Sequence, residues 1–129
     1  MNPWDTEIQR AVNLHLSGKR DAACRVLRRS IERHAGVAAL HSYLAGYLYL
    51  SEDAAGALPH AQAAVSLAPT KATPSRTLIL ALFKLGQAVP AISEARRYLG
   101  HTECPDEIEE WEHMIADAER FQQENEEDA

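Results

Sequence analysis

Six histidines, two cysteines and nineteen Asp or Glu residues are the side chains of this 129-residue chain that could perform acid–base, nucleophilic or metal chemistry. Spacing decides whether they could act together. A helical zinc site needs two histidines one turn apart, as in HExxH. His34, His41 and His60 have no such pairing, and neither do His101 and His113. There is no glycine-rich phosphate loop, GxSxG turn or calcium loop with alternating oxygen ligands. Cys24 and Cys104 are too few for a disulfide framework or a zinc cluster and are expected to be reduced thiols. Cys24, next to Ala23, suits a buried apolar position. The expectation is a protein that is not an enzyme, with no catalytic residue, no metal and no cofactor.

Charge is divided unevenly along the chain. Residues 1–105 carry 12 Lys/Arg against 8 Asp/Glu, whereas residues 106–129 carry one Arg against 11 Asp/Glu. An acidic end of that size repels phosphates, which argues against a nucleic-acid partner. Its carboxylates lack the glycine and alternating ligands of a cation loop and read as a solvated face. Lys19, Arg20, Arg25, Arg28, Arg29 and Arg33 cluster in one segment, with Arg25, Arg29 and Arg33 one helical turn apart. They read first as a solvated outer face, and alternatively as a patch for an acidic partner or the acidic end of another copy. No apolar run approaches the roughly 20 residues of a membrane span, and MNPWDTEIQR lacks the form of a secretory leader. A cytoplasmic protein without membrane insertion is expected.

The elements that would position these residues emerge from a 34-residue period. With repeats starting at Trp4, Ala38 and Ala72, the eighth position is Ala11, Ala45 and Ile79, and the eleventh is Leu14, Leu48 and Leu82. The twentieth is Ala23, Ala57 and Ala91, the twenty-fourth Leu27, Ala61 and Ala95, and the twenty-eighth Ile31, Val65 and Leu99. Gly18, Glu52 and Gly86 fall where a hairpin favours a residue tolerant of positive φ. Helices are expected near 4–17, 20–34, 38–51, 55–68, 73–86, 88–100 and 106–123. Asn2 before Pro3, and Thr102 or Cys104 before Pro105, suit helix starts. Pro59 implies that the fourth helix starts late, near Gly56, so that the proline sits in the first turn. In 106–123, Ile108, Trp111, Ile115, Ala118 and Phe121 share one stripe, which suits a helix that closes the last hairpin. Residues 124–129 are expected to be a disordered acidic tail.

The period and the residues at these positions resemble the tetratricopeptide-repeat (TPR) family over about residues 4–105. Leu67-Ala68-Pro69, Leu85-Gly86 and Pro90-Ala91-Ile92 add to the likeness. Glu7, His41 and Ser75 depart from it, standing where the family often has tryptophan, as do Ala35 and Glu103 where proline is common. The resemblance implies an all-α solenoid: one domain over 1–123, with repeats at about 4–37, 38–71 and 72–105 and a capping helix at 106–123. It also implies a concave groove lined by the first helix of each repeat. Carried over by position, the groove residues are Asp5, Ile8, Val12 and His15, then Ala39, Ser42, Gly46 and Tyr49, then Thr73, Arg76, Leu80 and Phe83, with Tyr43 at the rim. Val12, Tyr49, Leu80 and Phe83 would form an apolar floor. Only Arg76 matches the clamp with which some family members hold acidic chaperone tails, so that clamp is not expected. The expected function is a protein-interaction scaffold, adaptor or chaperone that binds a partner helix or peptide. The alternatives are a homo-oligomer whose groove is filled by its own subunits, and a small chaperone of bacterial type III secretion.

Overall fold

The computed structural model describes residues 2–128, with side chains for residues 2–126. Among them run seven helices: α1 (Pro3–Leu16), α2 (Arg20–Arg33), α3 (Ala38–Leu50), α4 (Ala54–Leu67), α5 (Ala72–Lys84), α6 (Ala88–Leu99) and α7 (Pro105–Asp128). Each packs on its neighbours in sequence, and α1, α3 and α5 also touch one another in order, which stacks three hairpins. Small residues permit the close packing. Ala11, Ala23, Ala45, Ala57 and Ala91 have no exposed surface, so a larger side chain at any of them would force helices apart.

The three hairpins turn in the same way. Gly18, Glu52 and Gly86 have φ of 80°, 64° and 76°, and the amide of the residue after each, three residues past the helix end, reaches back across the turn. These bonds are Lys19 N–H to the Leu14 carbonyl at 2.8 Å, Asp53 to Leu48 at 2.9 Å and Gln87 to Leu82 at 2.8 Å. Satisfying the last carbonyls of a helix this way requires one left-handed residue, which glycine adopts freely and glutamate does not.

α4 corrects the expected late start. It begins at Ala54, because the Asp53 carboxylate accepts the Gly56 N–H at 2.9 Å. A Cβ on Gly56 would lie 2.2 Å from that carboxylate, so the cap depends on glycine. Pro59 consequently falls in the second turn and denies the Ala55 carbonyl a helical donor. Both residues face solvent, where water can replace the missing bond.

At the fourth position of each repeat, Glu7, His41 and Ser75 tie the first helix of the hairpin to the second. Glu7 accepts hydrogen bonds from Ser30 and Arg33, and the Ser30 bond is the main reason its pKa lies below the ordinary carboxylate value. His41 is buried, with Nδ1 3.1 Å from Nδ1 of His60 and Nε2 2.7 Å from the Ala35 carbonyl. Ser75 accepts from Arg97 at 2.9 Å, while Arg97 also grips the buried Glu94 carboxylate at 2.7 and 2.8 Å and the Pro69 carbonyl at 2.9 Å. A polar group withdrawn from water costs stability unless it is bonded, and the buried His41 and Ser75 and the half-buried Glu7 all are.

α7 closes the stack. Trp111 is fully buried, its ring 4.3 Å from that of Tyr98, and the Tyr98 hydroxyl donates to the Glu107 carboxylate. Burial, more than the carboxylate, raises the Tyr98 pKa. Phe121 does not continue the buried stripe and is 63% exposed. The 24-residue α7 outruns the 12-residue α6 on which it packs, leaving its last turns without a floor. The helix also runs past the expected end near Gln123 as far as Asp128. The Glu- and Gln-rich stretch 122–128 favours helix and contains no Gly or Pro. Ala129, the last residue of the expected tail, lies outside the described residues.

Candidate interaction groove

The side of α3 turned toward α5 carries two rows at i, i+4 spacing: Ala39, Tyr43 and Tyr47, and Ser42, Gly46 and Leu50. With Thr73, Pro74 and Thr77 of α5 they enclose an open cleft of about 620 Å³. A Cβ on Gly46 would meet nothing within 4 Å, so the glycine leaves the middle of the cleft unfilled. Tyr43 and Leu50 stand 40% and 51% exposed on its walls, whereas Tyr47 is buried.

Neighbouring helices fix this wall. Tyr47 stacks on His15 of α1 with centroids 4.4 Å apart, and its ring is 6.1 Å from that of Tyr43. Burial, with smaller contributions from Tyr43 and Cys24, raises the Tyr47 pKa, so its phenol stays neutral at physiological pH. Arg20 donates to the Leu50 carbonyl at 3.1 Å and lies 3.4 Å from His15 Nδ1. A cation at the carboxyl end of α3 is favoured by the helix dipole and anchors the end of the wall.

Of the residues expected in the groove, Ala39, Ser42, Tyr43, Gly46 and Thr73 line this cleft, and His15 supports it from behind. Ile8, Tyr49 and Phe83 are half-buried against the core instead, and Asp5 and Val12 do not line it. Tyr49 falls off both i, i+4 rows, and Tyr47 takes the place expected of it. Leu80 is 40% exposed on α5 outside the cleft. Arg76 is held by α7: its guanidinium lies 5.7 Å from the Trp111 ring centroid and 3.0 Å from Glu110. The expected floor of Val12, Tyr49, Leu80 and Phe83 is therefore not assembled. Core packing claims Tyr49 and Phe83, and Phe83 borders a separate cleft of about 530 Å³ with Val89 and Phe121.

A third cleft, about 630 Å³, lies along the outer side of α1 and is lined by Asp5, Gln9, Arg10 and Asn13. Gln9 and Asn13 bond to each other at 3.1 Å, and Leu14 also lines the cleft. Among the described residues no group of three His, Cys, Asp or Glu side chains converges as a metal site would, and no helix is long and apolar enough to cross a membrane. Cys24 is buried, which raises its pKa, and Cys104 is exposed.

No family model matches the sequence, and no curated protein matches it. Solved structures do share its architecture. The first TPR of Spaghetti (RPAP3), bound to the HSP90 peptide SRMEEVD, superposes with a TM-score of 0.74 at 18% identity, covering 88% of this chain and 92% of that one. The NMR structure of the first TPR domain of human RPAP3 gives a TM-score of 0.76 at 17% identity, with coverage of 92% and 93%. Identity this low speaks for the fold alone. Three hairpins in a 34-residue register, identical left-handed turns, alanine contacts and a closing helix, together with these superpositions, make this the tetratricopeptide-repeat fold.

Proposed function

We propose that the protein is an interaction scaffold, acting as an adaptor or chaperone, that holds a peptide or helix of a partner protein between α3 and α5. The observation that carries this reading is the open, largely apolar cleft centred on Gly46, with Tyr43 and Leu50 half-exposed on its walls. Folding leaves such side chains in water only at a cost, and a partner segment would cover them. The rigid Tyr47–His15 stack behind the wall keeps the surface preformed, which lowers the entropy lost on binding. The similar RPAP3 domain bound to the HSP90 peptide gives a precedent for the architecture in this role. A cytoplasmic setting fits the same reading.

Gly46→Leu tests it. The new side chain has room in the free protein and enters the space a ligand would use, while a helical glycine is replaced by a better helix former. Partner binding should weaken by at least about tenfold with helical content and melting temperature maintained. Tyr43→Ala with Leu50→Ala should act in the same direction. A partner bound equally well by wild type and Gly46→Leu would place its site elsewhere.

A further inference from the structure

The three hairpin turns lie side by side along one edge of the stack, joined by a polar contact from each turn to the next. Arg20, just after the first turn, donates to the Leu50 carbonyl at the start of the second at 3.1 Å. Glu52 of the second turn lies 3.5 Å from Lys84 at the start of the third. This series is open on both sides. At its head, Leu16 ends α1 and is 76% exposed, the barest large apolar side chain among the described residues, with the exposed Lys19 in the same turn. At its tail, Gly86 and Gln87 of the third turn share the cleft of about 530 Å³ with Phe83, Val89, Phe121 and Glu126. Val89 and Phe121 are exposed there, on the part of α7 that has no helix beneath it. Neither Lys19 nor Glu126 forms an ion pair among the described residues.

Head and tail are complementary: a protruding leucine beside a cation, and an apolar hollow beside a carboxylate. One copy cannot join its own two, because α1 and α2 pack on each other and on α3, whereas α7 packs on α6. Pairing tail with tail would bring Glu124 and Glu126 of both copies together, and pairing head with head would oppose two lysines. We propose that copies of this chain associate head to tail. Leu16 of one copy enters the cleft formed by Phe83, Val89 and Phe121 of the next, and Lys19 meets Glu126. The first turn of one copy then stands beside the third turn of another and extends the series by one more polar contact. Such an interface joins two different surfaces, so every pair keeps a free head and a free tail, and association continues past two copies. The cleft between α3 and α5 takes no part and stays open to a partner.

Sedimentation velocity of the whole chain over a concentration series tests this. The average mass should rise with concentration beyond that of two copies and fall as salt is added. Leu16→Glu and Phe121→Ser should each weaken association by at least about tenfold. Both side chains are exposed, so helical content and melting temperature should hold. Mixed together, the two variants should form a one-to-one complex that grows no further, since the Phe121→Ser copy supplies the head and the Leu16→Glu copy the tail. Lys19→Glu should cost about three- to tenfold, and Glu126→Lys in the same chain should restore the loss. Wild type that stays monomeric up to about 1 mM would overturn the inference. So would a mass that stops at two copies, a mixture that restores nothing, or a charge exchange that fails to rescue. Association abolished by Gly46→Leu would place the contact in the groove and overturn it too, whereas a partner lost to Gly46→Leu with self-association unchanged is the result expected if both readings hold.

Discussion

Ser42 and Arg76 occupy the same position in successive repeats, as do Gly46 and Leu80, and Tyr49 and Phe83. Their surroundings differ. On α3, Ser42 and Gly46 border an open cleft, while on α5 Arg76 lies against Trp111 and Phe83 borders the cleft that contains Phe121. Position in a repeat thus determines which way a side chain points, and the next layer of helix determines whether a partner can reach it. In an array this short, the closing helix that protects the last hairpin also occupies part of the concave face. The interval between α3 and α5 stays open.

The largest effect that would break this contrast is loss of Trp111. Trp111→Ala removes a fully buried ring from against Tyr98 and Arg76, and such truncations cost about 3–5 kcal/mol. Urea unfolding should show the loss, and limited proteolysis should cut in α7 before α3. With α7 loosened, the α5 face should bind hydrophobic dye and resemble the open face of α3. A cost below about 1 kcal/mol would mean that α7 does not hold the covered half closed.

Much of this contrast could be read in the sequence, and what could not has a physical reason. Ala11, Ala45, Ala23, Ala57 and Ala91 were legible because close helix packing demands small residues in register. Gly18, Glu52 and Gly86 were legible because a left-handed turn repeats with the same period. The burial of Trp111 followed from an amphipathic stripe. Tyr43, Tyr47 and Tyr49 are chemically alike, however, and only the packed orientation of α3 puts Tyr43 and the buried Tyr47 along the cleft and turns the half-buried Tyr49 away from it. The capture of Arg76 by α7 depends on a helix some thirty residues later in the chain. The ties at Glu7, His41 and Ser75 were invisible because three different chemistries reach three different partner positions. Phe121 follows the stripe yet stays exposed, since periodicity says nothing about where the helix beneath it ends.

A smaller effect would make the open hairpin more like the covered one. Its turn uses Glu52 at φ 64° where the next hairpin uses Gly86 at φ 76°. Glu52→Gly relieves the left-handed strain while giving up an exposed 3.5 Å ion pair with Lys84, which contributes little. The expected gain is about 0.5–1 kcal/mol, or about 3 °C in melting temperature. Gly86→Ala should lose stability for the converse reason. A melting temperature lowered by Glu52→Gly would show that the glutamate contributes more than its backbone costs.

The smallest effect separates the hairpin ties by pH. The open hairpin is tied by His41 and His60, and the covered one by Ser75 with Arg97 and Glu94. Burial first, then the neighbouring His41 and the Arg28 cation, push the His60 pKa below its ordinary value of 6.5. Because the folded value is the lower one, the unfolded chain binds more protons as pH falls below 6.5. The contribution of His60 is therefore fully present above that pH, declines as pH falls from it through the folded value, and levels off below. The Arg97 guanidinium keeps its proton throughout, its pKa raised further by Glu94, so the covered hairpin lacks this dependence. Amide exchange measured from pH 7.5 to 5.5 should lose protection first in α3 and α4. His60→Gln supplies an uncharged donor to His41 and should flatten that loss. An equal loss in α5 and α6, or one unchanged by His60→Gln, would mean that the two ties do not divide the molecule in this way.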